Sequence, residues 1–220
     1  MKMRYGIFDV DGTLFDSMSQ YLEIFARCLY PLGISTDESK NFFRQTAGMP
    51  LSEQFYSILF QTTQFKISPT STIVQELVKK FFKISDQESP MLFPTVRKVL
   101  RKLRKEGFQL FATSGYRDEV LHQRFQGAKI DSLFQCILGS SRIRKGPRHI
   151  EFFANNCGVS FKEFCSKAFY VGDGPGDMII AAKCGIFGIG ITTTVPKEKL
   201  KQKGAKKIIR SLDELLNFLF

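Results

Sequence analysis

The chain has 220 residues, 43% of them hydrophobic, which is enough to bury one large domain or one domain that carries an insertion. Its 32 lysines and arginines outnumber its 21 acidic residues and give a net charge of +11. This charge attracts anions but does not identify a particular ligand. The five cysteines are odd in number and form no close Cys-x-x-Cys pair, which argues against structural zinc and favours reduced core thiols.

The first predicted element is a short buried strand from Met3 to Val10 that ends at the turn Asp11-Gly12. Because Asp9 and Asp11 interrupt this apolar stretch, it does not fit the core of a signal peptide. Apolar runs elsewhere in the sequence are too short for a membrane span. We therefore expect a soluble, cytoplasmic protein.

An all-helical insert is predicted next. Apolar residues recur at helical spacing from Ser17 to about Ser89, with breaks at segments that contain proline or glycine. After Pro90 the pattern changes to helices that alternate with short apolar runs. We therefore predict that residues 17–89 form an inserted helical domain, and that residues 1–16 and 90–220 form the main domain.

The main domain is predicted to be an α/β fold. Four further strands are expected, with helices between them, at Phe108–Thr113, Leu133–Leu138, Ala168–Val171 and Ile186–Ile191. Strands separated by helices indicate a parallel sheet covered on both faces. A ligand of such a sheet is expected beyond the carboxyl ends of the strands.

Two aspartates close the first predicted strand. Strand alternation places Asp9 and Asp11 on one side, and Gly12 lets the backbone turn away from them. Two neighbouring carboxylates do not both ionise cheaply, which suits a division into nucleophile and general acid. A calcium loop is excluded because Leu14 and Gln20 stand where that motif needs Gly and Glu. An ordinary Asp-Gly turn is the alternative.

A second acidic segment, Tyr170–Asp177, follows a later strand. Its glycines miss the spacing of a dinucleotide-binding loop, and no Lys-Ser or Lys-Thr pair follows as in a P-loop. Asp173 and Asp177 would join Asp9 and Asp11 at one edge of the sheet. Such an all-oxygen cluster suits a hard cation such as Mg²⁺ better than zinc or copper.

Two weaker signals accompany the acids. Ala112-Thr113-Ser114-Gly115 ends a predicted strand, where a hydroxyl and freed backbone N–H groups can hold phosphate oxygens. Lys145 can supply a positive charge that lets anionic oxygens approach Asp9. Taken singly, the first is typical of a turn and the second of a surface lysine.

In this order, the four segments resemble the signature motifs of the haloacid dehalogenase-like hydrolase superfamily, specifically its phosphoglycolate phosphatase and β-phosphoglucomutase-like branch. Asp9-Val10-Asp11-Gly12-Thr13-Leu14 and Gly172-Asp173 with Asp177 are the specific motifs. The resemblance covers nearly the whole chain. It implies a Rossmann-like core with a helical cap inserted after the first motif, which closes over the site during the reaction.

The resemblance also implies catalytic roles for Asp9 and Asp11. Asp9 would attack phosphorus, and Asp11 would protonate the departing alcohol and then deprotonate the water that opens the aspartyl phosphate. Relatives that remove a halide lack an acid at the place of Asp11, since a halide leaves without a proton. Asp11 therefore favours phosphate esters over haloacids as substrates.

The implied cofactor is Mg²⁺. By the resemblance, Asp9, the backbone carbonyl of Asp11 and Asp173 would bind the ion, and Asp177 would support its water shell. The phosphate would be held by four further residues, Gly12, Ser114, Gly115 and Lys145. Two of these assignments have rivals in the sequence, because Thr113 competes with Ser114, and Arg142 or Arg144 with Lys145.

The predicted function is a magnesium-dependent phosphatase that hydrolyses a small organic phosphate monoester through an aspartyl-phosphate intermediate. The alternatives are a sugar-phosphate mutase of the same branch and a non-catalytic phosphate-binding protein. The segment Arg44–Leu51, with Ala47-Gly48-Met49-Pro50, resembles the segment with which relatives recognise their substrates.

The expected partner is a small phosphorylated metabolite. The basic segments Arg97–Lys105 and Lys197–Lys207 are interpreted as solvated surfaces, and the first has the pattern of an amphipathic surface helix. Neither a membrane nor a nucleic acid is expected as a partner. The oligomeric state is left open, with a monomer as the starting expectation.

Overall fold

The structure is a computed structural model that describes residues 3–46, 49–63 and 68–220. None of the helices in these ranges is both long enough and apolar enough to cross a bilayer. The five cysteines are all free thiols.

The chain divides into two compact units. Ser17–Pro90 forms one, called the helical unit, and Met1–Asp16 together with Met91–Phe220 forms the other, called the sheet unit. The described residues of the helical unit form four α-helices and a short 3₁₀ helix at Tyr30–Leu32; the α-helices are α1 (Ser17–Leu29), α2 (Thr36–Gln45), α3 (Leu51–Thr63) and α4 (Thr72–Gln87).

The helical unit has its own hydrophobic core, built largely from aromatic rings. Phe25 of α1 stacks on Phe55 of α3 with ring centroids 4.5 Å apart, and it contacts Phe43 of α2 at 5.0 Å. Phe81 of α4 meets Phe55 edge-on at 6.3 Å. Aromatic pairs of this kind stabilise a core beyond the burial of their area, so all four helices are tied to one centre.

The sheet unit alternates strands with helices. Its strands are β1 (Tyr5–Asp9), β2 (Gln109–Thr113), β3 (Cys136–Leu138), β4 (Ala168–Gly172), β5 (Phe187–Ile191) and β6 (Lys207–Ile209). Its helices are α5 (Val96–Lys105), α6 (Asp118–Gly127), α7 (Pro147–Asn156), α8 (Phe161–Ser166), α9 (Pro175–Cys184), α10 (Lys197–Gln202) and α11 (Asp213–Leu219).

The six strands of the described residues form one parallel sheet in the order β3-β2-β1-β4-β5-β6. From β1 the chain adds strands in one direction through β2 to β3, and then returns to the other side for β4, β5 and β6. The strand order therefore reverses between β1 and β4. This doubly wound arrangement confirms the predicted α/β, Rossmann-like fold class.

Helices bury both faces of the sheet. On one face, side chains of α5, α6 and α11 pack in a common core with Phe8 and Val171. On the other face, side chains of α7, α8 and α9 pack with Ile7 and Tyr170. Because neighbouring strand residues point to opposite faces, a strand in such a sheet must be apolar along its whole length.

Candidate active site

The acidic motifs lie at the point where the strand order reverses. Asp9 is the last residue of β1, and Asp173 directly follows Gly172, the last residue of β4. The two strands are neighbours, with Phe8 paired to Val171. Open parallel sheets bind their ligands at this position, beyond the carboxyl ends of the strands.

Among the described residues, three buried carboxylates meet at this edge, with one oxygen from each of Asp9, Asp173 and Asp177 within 4.8 Å of the others. Asp177 reaches the cluster from the first turn of α9. Its Oδ2 accepts a hydrogen bond from the Gly174 backbone N–H (3.0 Å), and its Oδ1 accepts one from the Tyr170 hydroxyl (3.1 Å). The direction of the Asp177 side chain is therefore fixed by β4 and by the start of α9.

Lys145 lies between two of the carboxylates. Its Nζ is 2.5 Å from Asp9 Oδ1 and 2.7 Å from Asp177 Oδ1. Its backbone N–H donates to Ser140 Oγ (3.0 Å), and Ser140 Oγ donates to the Ser114 carbonyl (2.9 Å). These bonds fasten the loop that carries Lys145 to the end of β2, which holds the ammonium group against Asp9.

The charges of this cluster do not balance. Burial and the Asp177 carboxylate raise the pKa of Asp9 well above its ordinary value, although Lys145 opposes them. Burial and Asp177 also raise the pKa of Asp173 to about 6. Burial alone would lower the pKa of Lys145, but Asp177 and Asp9 outweigh it and raise that pKa above its ordinary value. One ammonium group is therefore not enough to make ionisation of all three carboxyl groups favourable.

The residues present fit a hard divalent cation. Carboxylate oxygens are the ligands that Mg²⁺ and Ca²⁺ prefer, and three of them converge here from β1, the β4–α9 loop and α9. Burial and then repulsion from Asp177 raise the pKa values of Asp9 and Asp173, and a bound cation would oppose both effects by stabilising the ionised carboxylates.

Asp173 is held in place by the first motif. The Thr13 hydroxyl donates to Asp173 Oδ1 (3.1 Å), and the Thr193 hydroxyl donates to the Gly12 carbonyl. Gly12 has a φ of +78°, and a Cβ at this position would lie 2.2 Å from Asp173 Oδ2. The glycine is thus required both for the turn and for the close approach of Asp173.

Replacing Gly12 by Ala is expected to lower the free energy of unfolding by about 2 kcal/mol or more, from backbone strain plus displacement of Asp173. Gly107→Ala is the matched control, because Gly107 has a φ of +86° but open space around it. That variant should lose only about 1 kcal/mol. Equal losses in urea unfolding would show that the contact with Asp173 does not constrain residue 12.

Asp11 faces a different cation from Asp9. Because β1 ends at Asp9, strand alternation does not set the direction of Asp11. Its Oδ1 lies 3.2 Å from Nη1 of Arg124, and its Oδ2 accepts a hydrogen bond from Ser114 Oγ (3.4 Å). The two aspartates of the motif are therefore paired separately, Asp9 with Lys145 and Asp11 with Arg124.

The hydroxyls of Thr113 and Ser114 have different partners. Thr113 Oγ1 is 2.7 Å from Nδ1 of His149, and His149 Nε2 is 2.7 Å from the Ile143 carbonyl. A carbonyl cannot donate, so Nε2 carries the proton and Nδ1 accepts the hydrogen bond from Thr113. The Thr113 hydroxyl is thus engaged by α7, whereas the Ser114 hydroxyl faces Asp11 at the acidic edge.

Burial lowers the pKa of His149 below its ordinary value of 6.5. In the unfolded chain His149 gains its proton as the pH falls through 6.5, while in the folded protein it stays neutral to lower pH. Its contribution to stability is therefore present above pH 6.5 and is lost below that value. We expect the unfolding free energy to fall less steeply as the pH falls below 6.5 in His149→Gln than in the wild type.

The control for this pH experiment is His122→Gln, which removes an exposed imidazole from α6. This variant should keep the wild-type pH dependence. A His149→Gln protein with the same slope as the wild type would contradict a buried neutral His149.

The structure brings together most predicted site residues of the sheet unit, each beside at least one other: Asp9, Asp11, Gly12, Ser114, Lys145, Asp173 and Asp177. Gly115 follows Ser114 and is exposed. Arg142 and Arg144 are exposed on the loop that carries Lys145. Of the predicted substrate-reading segment, Ala47 and Gly48 lie outside the described residues.

Sequence reasoning missed three polar residues of the site, Arg124, Tyr170 and His149. Arg124 could have been found from the sequence. It follows Leu121 by three residues and precedes Phe125, so helical spacing places it on the apolar face of α6. A charged residue on the buried face of a helix needs a buried partner.

The fold and the acidic edge together define a doubly wound α/β protein with a site of the hydrolase type. The sequence model of the family described as haloacid dehalogenase-like hydrolase matches residues 6–191, and the chain belongs to this family. The resemblance predicted from the four motifs is confirmed.

Two named relatives are similar over almost the whole chain. Probable phosphatase IndB from Dickeya dadantii (strain 3937) is 25% identical over 211 residues, which covers 96% of this chain and 90% of the relative. Validoxylamine A 7'-phosphate phosphatase from Streptomyces hygroscopicus subsp. limoneus is 24% identical over 213 residues, which covers 96% and 95%.

Solved structures share the fold at lower identity. A predicted phosphoglycolate phosphatase from Haemophilus somnus 129PT aligns with a TM-score of 0.81 and 17% identity, covering 100% of this chain and 99% of the other. A protein described as a β-phosphoglucomutase from Thermotoga maritima aligns with a TM-score of 0.73 and 19% identity, covering 99% and 98%. Both share the doubly wound fold of this chain.

Proposed function

We propose that this protein is a magnesium-dependent phosphatase that hydrolyses a small organic phosphate monoester through an aspartyl phosphate on Asp9. One observation carries the proposal: Lys145 Nζ bridges Asp9 and Asp177 within a cluster of three buried carboxylates, beside the Asp11–Ser114 pair. The two relatives named as phosphatases support the reaction type.

In the proposed reaction a carboxylate oxygen of Asp9 forms a bond to phosphorus while the bond from phosphorus to the ester oxygen breaks. Asp11 gives its proton to that departing oxygen, and the alcohol leaves. A water then attacks phosphorus, Asp11 takes a proton from this water, and the bond to Asp9 breaks. Inorganic phosphate is released and both carboxyl groups return to their starting states.

The remaining residues would bind and hold the reacting groups. Asp9, the Asp11 backbone carbonyl and Asp173 would hold Mg²⁺, with Asp177 supporting its water shell. When bound, the ion would neutralise charge on the phosphoryl oxygens and on Asp9. Lys145 would offset the remaining charge as the phosphoryl group approaches Asp9.

The phosphate oxygens would be held at the ends of β1 and β2. We propose Ser114 Oγ and the backbone N–H groups of Gly12 and Gly115 as the donors. Ser114 Oγ donates its one proton to Asp11 Oδ2 (3.4 Å). When substrate binds, this hydroxyl would turn to a phosphoryl oxygen next to Asp11, and Arg124 would remain as the partner of Asp11.

We also propose separate roles for the two units. Residues 1–16 and 90–220 would form the catalytic core, and residues 17–89 would form the cap that selects the substrate. The five free thiols fit a reducing, cytoplasmic setting. A small phosphorylated metabolite is the proposed substrate.

The test is a panel of phosphorylated metabolites assayed for free phosphate with Mg²⁺, with chelator, and with Asp9→Asn protein purified in parallel. We expect phosphate release with Mg²⁺ by the wild type alone, and its loss on chelation. Equal release by the Asp9→Asn preparation or in chelator would reject the proposal.

A mutase remains the second candidate, because a protein described as a β-phosphoglucomutase shares the fold. It would pass the phosphoryl group from Asp9 to a second hydroxyl of a sugar instead of to water. A strict requirement for a sugar bisphosphate, with no free phosphate formed from simple monoesters, would favour the mutase over the hydrolase.

A further inference from the structure

Arg124 is a buried cation in contact with the first motif. It lies on α6, and its side chain is 2% exposed. Nη1 is 3.2 Å from Asp11 Oδ1, and the guanidinium carbon lies 4.3 Å from the centre of the Tyr116 ring. Arg124 therefore has an ionic contact with Asp11 and stacks on an aromatic face.

A guanidinium group keeps its proton in proteins, so Arg124 is charged wherever it lies. Burying a charge costs free energy, and apolar residues of similar volume often replace a buried ion pair without loss of stability. Leu121 and Phe125 on the same helix face belong to the hydrophobic core. An arginine at this position is therefore poorly explained by stability alone.

The contacts around Asp11 form a closed ring. Arg124 approaches Asp11 Oδ1, Ser114 Oγ donates to Asp11 Oδ2 (3.4 Å), and the Tyr116 backbone N–H donates to Ser114 Oγ (3.0 Å). The Tyr116 ring then returns to Arg124. Each oxygen of Asp11 thus has a partner on a different element, which fixes the plane of the carboxyl group.

Asp11 and Asp9 are held from opposite faces of the sheet. Arg124 belongs to α6, whose apolar side chains pack in the core with Phe8, whereas Lys145 precedes α7, whose side chains pack in the core with Ile7. The orientation of Asp11 can therefore be changed without removing the partner of Asp9.

We infer that Arg124 is a positioning residue that holds Asp11 in the orientation needed to exchange a proton with the leaving oxygen and with water. This inference rests on the proposed phosphatase function. Arg124 acts through Asp11, so its loss should slow only the steps in which Asp11 transfers a proton. Leaving groups that depart without a proton should be insensitive to Arg124.

The test compares Arg124→Met with the wild type on an alkyl phosphate and on p-nitrophenyl phosphate, whose leaving group is a weak base. We expect kcat/KM to fall about 10- to 100-fold for the alkyl ester and less than about threefold for the aryl ester. Arg124→Lys should recover part of the activity. Arg101→Met, which removes an exposed arginine of α5, is the matched control and should change neither value.

A double-mutant cycle separates positioning of Asp11 from a general structural effect. In an Asp11→Asn background, Arg124→Met should change kcat/KM for the alkyl ester less than about twofold. Equal losses for both esters, or losses that multiply in the Asp11→Asn background, would overturn the inference. If Arg124→Met does not fold, the same comparisons are made with Arg124→Gln, which also removes the charge but keeps a polar side chain. A wild-type protein without phosphatase activity would reject the proposed function itself, and the inference with it.

Discussion

Asp9→Asn is expected to reduce phosphate release by at least about 10⁴-fold, because the amide cannot form the acyl phosphate while its volume hardly changes. The measurement is release of phosphate from the best substrate of the panel at saturating Mg²⁺. Asp37→Asn is the matched control, since Asp37 is exposed on α2 and should keep full activity. Near-wild-type turnover by Asp9→Asn would defeat the proposed mechanism.

The same variant should not be less stable than the wild type when both are metal-free. The pKa of Asp9 is raised, so at neutral pH the ionised carboxylate is less favourable in the folded protein than in the unfolded chain. Asn removes this penalty, and Asp177 remains as a partner for Lys145. We therefore expect the unfolding free energy in chelator to stay equal or to rise, and a clear fall would contradict this view of the cluster.

Lys145→Met should have the second largest effect, on activity and on stability together. Removing one partner of a buried ion pair leaves an uncompensated charge, which costs about 3 kcal/mol or more. Asp9 and Asp177 would both lose their contact with the ammonium group. We also expect kcat/KM to fall by about 10²- to 10³-fold, as for the loss of one group that stabilises transition-state charge.

Lys162→Met is the control for this variant, because Lys162 is exposed on α8 and should be replaceable without consequence. Both proteins should be compared by urea unfolding in chelator and by phosphate release with Mg²⁺. A Lys145→Met protein that retains wild-type activity would show that another cation, such as Arg142 or Arg144, fills the proposed role.

The doubly wound sheet could be predicted because its strands are short apolar runs separated by helical patterns. A helix is expected between the predicted strands Leu133–Leu138 and Ala168–Val171, and the structure has α7 there at Pro147–Asn156, with Pro147 at its start. The strand predicted at Leu133–Leu138 is too long. The observed strand is Cys136–Leu138, because Asp131–Leu133 forms a 3₁₀ turn after Lys129, which has a positive φ.

Short and charged elements escaped prediction. β6 has only three residues, begins with Lys207 and lies at the sheet edge, where lysine is common and no long apolar pattern is needed. Helices α8 and α10 have six residues each, which is too short for helical periodicity to be distinctive. Such elements are defined by their packing on the finished sheet.

The acidic part of the site could be predicted because parallel strands bring their carboxyl ends to one edge. Asp9 and Asp173 follow neighbouring strands, and Asp177 follows by one helical turn. Arg124 could not be placed in the same way, because its contact with Asp11 joins residues that are 113 positions apart. Only the packing of α6 on the sheet brings them together.

The most direct test of the account is to identify the phosphorylated residue. The wild-type enzyme is mixed with substrate and Mg²⁺, quenched with acid during turnover, digested and analysed by mass spectrometry. We predict one phosphoryl group, attached to Asp9 and labile to hydroxylamine. It should be absent when Mg²⁺ is removed before the substrate is added. A phosphoryl group on any other residue would contradict the central role of Asp9.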